Sequence, residues 1–106
     1  MYKLIFYVPK DSSESVKQGI FETGAGCIGN YSHCSWETEG VGQFLPLVGS
    51  NAFIGTVNKL EKLPELRVEI LCTKANIKQA VSALKQHHPY EEVAYEVVTI
   101  ENYKIN

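Results

Sequence analysis

The stretch NIKQAVSALKQHHPYEEVAYEVVTI, residues 76–100, contains the change of hydrophobic period that decides the fold. In its first half, four residues follow one another at intervals of four, three and four positions: Ile77, Val81, Leu84 and His88. This spacing is typical of one face of an α-helix. Pro89 ends the helix because it lacks an N–H group, and the β-branched residues of 93–100 predict a strand. The joint between them, residues 87–95, concentrates His, Tyr and Glu side chains.

A strand and a helix are also predicted at the start of the chain. Residues 2–8 carry apolar side chains on both faces, which is typical of a central strand. Asp11 precedes Glu14 by three positions, the spacing of a capping box that opens a helix. This helix is predicted to end at Gly24 in a left-handed cap. Its inward-facing residues are Val16 and Ile20.

Two more strands and a long loop fill the middle of the chain. Residues 30–37 are predicted to form the second strand, and residues 65–73 the third. Between them, residues 40–55 are punctuated by glycine and proline, so they predict a long loop that is functional or contains short strands of its own. Cys72 continues the alternation of the third strand and is predicted to be a small buried hydrophobe.

The order β-α-β-(long loop)-β-α-β predicts an α+β fold, the ferredoxin-like sandwich with both helices on one face of a four-stranded sheet. At 106 residues, the chain is expected to be a single domain, 1–106. The other sheet face would be uncovered, and its candidate residues are apolar: Tyr7, Leu71, Ala94 and Val98. Self-association through this face and the 40–55 loop is therefore predicted.

Composition excludes several classes of function. A net charge of −2 and a single arginine, Arg67, argue against nucleic acid as a partner. No apolar run approaches the roughly 20 residues that span a bilayer, and the N-terminus is too short and strand-like for a signal peptide, so a cytoplasmic location is expected. Three cysteines without CxxC spacing argue against a disulfide framework and a zinc knuckle.

Four segments in order carry a family resemblance: GAGCIGNYSHCSW (24–36), GVGQFLP (40–46), NAFIG (51–55) and HPYEEVAY (88–95). They resemble the YqfO-type domain inserted in many bacterial members of the NGG-interacting-factor-three family, the dinuclear-metal-centre hexamers. The resemblance runs from about Tyr2 to Glu101. It implies a fold similar to CutA-type ion-tolerance proteins and PII signalling proteins, which are trimers, and hence a homotrimer. The family binds its two metals in flanking domains that are missing here, so the resemblance transfers no catalytic residue.

A metal site is one hypothesis for the two joints. Its candidate ligands are His33, His87, His88, Glu91 and Glu92, with Cys34 beside His33 as a further thiolate donor. Imidazole and carboxylate groups suit a divalent metal such as zinc or copper, provided that three or four of them converge, within one subunit or across a trimer contact. Alternatively, His88 is a hydrogen-bonded core histidine, since it lies on the apolar helix face. The glutamates beside the helix end need a compensating partner, and an oligomer contact is favoured over acid-base catalysis.

Two segments that contain several glycines are candidate ligand sites. Gly24, Gly26 and Gly29 follow a helix instead of preceding one, so they predict a cap and a turn, not a phosphate cradle. The 40–55 loop corresponds to the ligand-contacting loop of PII proteins, and its apolar residues are expected to pack on the domain or on another subunit. The favoured function is thus a non-enzymatic oligomeric module that binds a small molecule or a partner protein. A metal-binding protein of CutA type is the alternative, and an enzyme ranks last because no nucleophile–base pair is visible.

Overall fold

The computed structural model describes residues 1–101. It contains four strands and two α-helices: β1 (Tyr2–Pro9), α1 (Ser13–Phe21), β2 (Trp36–Phe44), β3 (Glu61–Cys72), α2 (Ile77–His87) and β4 (Tyr95–Thr99). The strands form one sheet in the order β2-β3-β1-β4, and every neighbouring pair is antiparallel. This is the predicted ferredoxin-like arrangement, and the predicted helical segments are confirmed.

Both helices cover the same face of the sheet. The buried strand residues alternate along the chain, as the period of two requires: Leu4, Phe6 and Val8 in β1, then Leu66, Val68, Ile70 and Cys72 in β3. They pack against Val16 and Ile20 of α1 and Ala80 and Leu84 of α2. Cys72 is 2% exposed, and burial raises the pKa of its thiol to about 11. The predicted inward residues of α1 and the buried cysteine are confirmed.

The start of α1 differs from the predicted capping box. Lys10–Ser12 form a turn of 3-10 helix, and the α-helix begins at Ser13 without a side-chain cap. Asp11 lies inside that turn, so its carboxylate is not at the N-cap position from which it would accept the free amides. The far end agrees better with the sequence: the helix ends at Phe21, and Gly24 has a φ of 92° while its N–H bonds to the Phe21 carbonyl.

The second strand was predicted too early. Residues 30–35 are not extended: Ile28 and Tyr31 pair across a tight turn, and His33 has a φ of 59°. Strand β2 instead includes Gly40 and Gly42, which the sequence assigned to the loop. The loop between β2 and β3 therefore covers residues 45–60, because β3 also begins earlier than predicted, at Glu61.

The uncovered sheet face is more polar than predicted. Tyr7, Leu71 and Val98 do lie on it, but Ala94 precedes β4. Charged side chains separate them, and these pair with one another: Lys3 with Glu69 at 3.2 Å, and Arg67 with Glu69 at 3.8 Å. The charged residues alternate with the apolar ones in register across β1, β3 and β4, so this open face is amphipathic rather than apolar.

The β2–β3 hairpin extends beyond the rest of the sheet. Residues 61–64 pair with β2 alone, because the last partner of β1 in this strand is Glu65. The described chain is correspondingly elongated, with extents of 55 × 23 × 21 Å. Several apolar side chains on the hairpin and its loop are exposed: Val41, Leu47, Val48, Phe53 and Leu60. Within residues 1–101, no helix is long and apolar enough to cross a bilayer.

Candidate functional site

A cleft of about 420 Å³ lies between the loop of the β2–β3 hairpin and the joint that connects α2 to β4. The hairpin supplies most of its apolar wall: Phe44, Leu45, Pro46, Phe53 and Ile54. Its polar groups are Gln43, Ser50, Glu65, Tyr90, Glu91 and Glu92. A mostly apolar cleft of this size with a few polar groups has the character of a small-molecule site.

Tyr90 and Glu65 form the polar floor of the cleft. The Tyr90 hydroxyl donates to Glu65 Oε2 at 2.8 Å, and the Phe44 ring meets the Tyr90 ring edge-on at 5.8 Å between centroids. Burial raises the pKa of Tyr90 above its usual value, and the Glu65 carboxylate raises it further. Tyr90 therefore remains a protonated hydrogen-bond donor at neutral pH.

His88 holds the joint in place from below. It is 6% exposed; its Nε2–H donates to the Tyr7 carbonyl at 2.7 Å, and its Nδ1 accepts the backbone N–H of Tyr90 at 3.1 Å. Both bonds require the neutral ring with its proton on Nε2. Burial lowers the pKa of His88, although the bond to Tyr7 and the charge of Glu65 act in the opposite direction. Of the two alternatives for His88, a metal ligand or a hydrogen-bonded core histidine, its contacts within the subunit match the second.

Stability is expected to fall on acidification because of His88. The unfolded chain protonates this histidine near its ordinary pKa of about 6.5, whereas the folded chain does so only at lower pH. The unfolded state therefore binds more protons in that window, and the stabilisation present above about pH 6.5 is lost as the pH falls towards the lowered pKa. Urea unfolding between about pH 7.5 and 5.5 measures this slope. His88→Gln should flatten it, and an identical slope in both proteins would contradict the assignment.

The hairpin loop is tied to the same joint. The Asn51 N–H donates to Glu91 Oε1 at 2.8 Å, across a sequence separation of 40 residues. The loop is also closed on itself, since the Asn58 N–H bonds to the Pro46 carbonyl at 2.7 Å. These bonds hold the apolar wall of the cleft at a fixed distance from Tyr90.

Gly42 leaves room for the Glu65 side chain. A Cβ at Gly42 would overlap the Glu65 carboxylate, whereas a Cβ at Gly40 would meet nothing within 4 Å. We expect Gly42→Ala to displace the carboxylate from Tyr90 and to lower the free energy of unfolding by about 1–3 kcal/mol relative to Gly40→Ala. Urea unfolding of the two variants measures the difference. Equal stabilities would mean that Glu65 moves aside without loss.

The predicted metal ligands lie in different surroundings. The His33 ring packs at a tilt against Phe21, with 4.9 Å between centroids, and the His87 ring lies against Gly19 of α1. His88 points to Tyr7, while Glu91 and Glu92 line the cleft. Within residues 1–101, no three His, Cys, Asp or Glu side chains converge in a way that suits a metal ion. The metal site stays a prediction, and it would need ligands from more than one copy of the chain.

The two joints lie towards opposite ends of the sheet. The Gly26 N–H bonds to the Leu71 carbonyl near the end of β3, whereas the Ala94 carbonyl accepts the N–H of Tyr7, whose partner in β3 is Arg67. These positions are four residues, about 13 Å, apart along the strand. Within one subunit, these backbone anchors of the two joints are therefore separated along the sheet.

Sequence reasoning missed Glu65 and Tyr7 as cleft residues. Both lie on strands, facing away from the helices, where their alternation indicates only an uncovered face. The available signal was the apolar character of residues 44–46 and 53, which did predict that the loop packs against something. The partner it packs towards, the 90–94 joint, is set by tertiary structure.

This chain is similar to one part of several longer proteins. It is 46% identical over 99 residues to a GTP cyclohydrolase 1 type 2 homolog of Bacillus subtilis. The aligned region covers 93% of this chain but 26% of that protein. A crystal structure of a Bacillus cereus protein related to NIF3 superposes with a TM-score of 0.80 at 37% identity, covering 95% of this chain and 26% of that one. The chain thus spans about a quarter of the length of these relatives.

The fold alone is shared with a second group. CutA1 from Pyrococcus horikoshii superposes with a TM-score of 0.67 at 16% identity, covering 98% of this chain and 87% of that one. No family model matches the sequence.

Proposed function

We propose, from the premise that this chain is similar to the YqfO-type domain of the NGG-interacting-factor-three family, that it is a non-enzymatic, oligomeric module that binds a small ligand in the cleft. The observation that carries the proposal is the cleft itself. Its walls come from segments held together by the Asn51–Glu91 and Tyr90–Glu65 hydrogen bonds, so the space is formed before any ligand arrives.

A binding role suits the polar groups better than catalysis. The Tyr90 hydroxyl is engaged by Glu65, and its raised pKa makes it a poor proton donor or acceptor in a reaction at neutral pH. His88, the one histidine next to the cleft floor among the described residues, uses both ring nitrogens to hold backbone groups. The hydrogen bonds of Tyr90 and His88 hold the walls of the cleft in place, and these two side chains do not form a nucleophile–base pair.

Ligand binding is tested by protein-observed NMR with a fragment library. We expect bound fragments to shift the amide signals of Ser50, Glu65 and Tyr90. The Phe53→Ala substitution should weaken the binding of these fragments. The matched control is Tyr31→Ala, because Tyr31 is also an exposed aromatic residue, at 76% exposure, but is not part of the cleft lining. Fragments that bind only elsewhere, or none that bind, would overturn the proposal.

Assembly through the open face and the hairpin is the second part of the proposal. A two-stranded hairpin is only marginally stable in water, yet this one projects beyond the sheet with Val41 76% and Val48 84% exposed. On the open face, Trp36 is 68% and Val98 43% exposed. Contact with further copies would bury these side chains, and the resemblance to CutA and PII proteins predicts three copies. A cytoplasmic location stays a prediction.

The oligomer is expected to have three times the chain mass of 11.9 kDa in sedimentation equilibrium at micromolar concentration. The single tryptophan, Trp36, should emit at shorter wavelength in the assembly because a neighbouring copy removes water from it. Val98→Lys should dissociate the assembly. Ile28→Lys, at a site of similar exposure, 49%, in the turn before β2, should not. A wild-type protein that sediments as a monomer would contradict this part of the proposal.

Metal binding is the alternative function, and zinc titration separates it from the first. Titration of wild type and His33→Ala should give different affinities if His33, together with His87 or His88, joins Glu91 or Glu92 around an ion between copies. Affinity should also fall below about pH 6.5, because the imidazoles must be neutral to bind. Equal affinity in both proteins would leave these residues with structural roles.

A further inference from the structure

The charged groups of the cleft are all of one sign. Its three ionisable carboxylates are Glu65, Glu91 and Glu92, and no Lys, Arg or His side chain of residues 1–101 lines it. The basic residues of the neighbouring sheet face pair with other glutamates. Arg67, opposite Tyr7 in the sheet, lies 3.8 Å from Glu69, and Lys3 also pairs with Glu69. The cleft therefore has a negative potential that its own lining does not neutralise.

The hydrogen bonds of these carboxylates come from neutral donors. Glu65 accepts from the Tyr90 hydroxyl, and Glu91 accepts from the Asn51 N–H. Neutral donors fix the direction of a carboxylate but leave its full charge, so both groups still favour a cation nearby. Glu65 is half-buried, so water screens its charge less than it screens the charge of the exposed Glu92.

The walls add a second, independent preference. The Phe44 and Tyr90 rings meet edge-to-face, and Phe53 and Leu47 at the mouth are 61% and 65% exposed. An apolar ligand body would remove these side chains from water. A ring face close to a cation also attracts it, so aromatic walls and carboxylates select the same kind of ligand.

We propose that the cleft binds a small organic cation, one ammonium or guanidinium group on an apolar body. The body lies between Phe44, Pro46 and Phe53, and the charged group points towards Glu65 and Glu92. This inference rests on the proposed ligand-binding function and adds the chemical class of the ligand. A free small molecule is the occupant because the volume of about 420 Å³ suits a molecule of that size.

Three probes of one shape test the charge preference: 4-phenylbutylamine, 4-phenylbutanol and 4-phenylbutanoate, titrated into the full chain by NMR. The amine should bind about tenfold more tightly than the alcohol, and the carboxylate should bind most weakly. Added salt should weaken the amine and leave the alcohol unchanged. Glu92→Gln should weaken the amine alone, whereas Glu22→Gln, an exposed glutamate at the end of α1, should change nothing.

The outcomes separate the two proposals. Equal binding of amine and alcohol would overturn the cation preference and leave the ligand-binding function standing. Binding of none of the three at millimolar concentration would overturn the cleft as a small-molecule site. If an acetylated, amidated Ala-Lys-Ala peptide binds more tightly than the amine, the occupant of the cleft is a basic side chain of another protein. That result would overturn the proposal that the occupant is a free small molecule.

Discussion

Replacement of Phe6 by alanine is expected to lower the free energy of unfolding by about 3–5 kcal/mol, because a large cavity opens in a packed core. Phe6 is 0% exposed and lies in the central strand, paired with Val68 on one side and Tyr95 on the other. Folded domains of this size are stable by only about 5–15 kcal/mol, so this one change removes a large share of the total.

Urea unfolding measures this loss, and Phe53→Ala is the matched control. Phe53 is 61% exposed in the hairpin loop, so its truncation should cost about 1 kcal/mol or less. Similar losses at Phe6 and Phe53 would contradict the placement of the core between β1 and the helices.

The elements that the sequence predicted well are those whose pattern is set locally. Strand β1 is apolar on both faces, as a central strand is, and α2 repeats its apolar residues at helical spacing with Pro89 to end it. Strand β2 lacks such a pattern, because Gly40 and Gly42 have low β-propensity and its other side chains are mostly exposed. Its position is determined by pairing with β3, and the hydrophobic periodicity of the local sequence does not reveal that pairing.

The same distinction applies to the candidate site. The joint at 87–95 and the apolar loop were each recognised, since each is unusual by itself. Their convergence depends on one hydrogen bond across 40 residues, from Asn51 to Glu91, and on Glu65 reaching over Gly42 to Tyr90. The space left by a missing Cβ is visible only when the neighbouring strand is in place.

Replacement of His88 by alanine is expected to cost about 2–5 kcal/mol, since it removes a buried side chain and leaves the partly buried Tyr7 carbonyl and Tyr90 N–H without partners. The loss should also reach the cleft, because the Tyr90 backbone that His88 fixes carries the hydroxyl bonded to Glu65. Amide hydrogen exchange should therefore accelerate at residues 90–94 more than in α1.

The adjacent histidine gives the matched control. His87 is exposed at the end of α2, where its ring lies against Gly19 without hydrogen-bonding the joint, so His87→Ala should change the free energy of unfolding by about 1 kcal/mol or less and leave the exchange at 90–94 unchanged. If His88 served instead as a surface metal ligand, both alanine variants would be equally stable without metal. A large loss at His88 alone would establish that this side chain acts through the backbone of the joint.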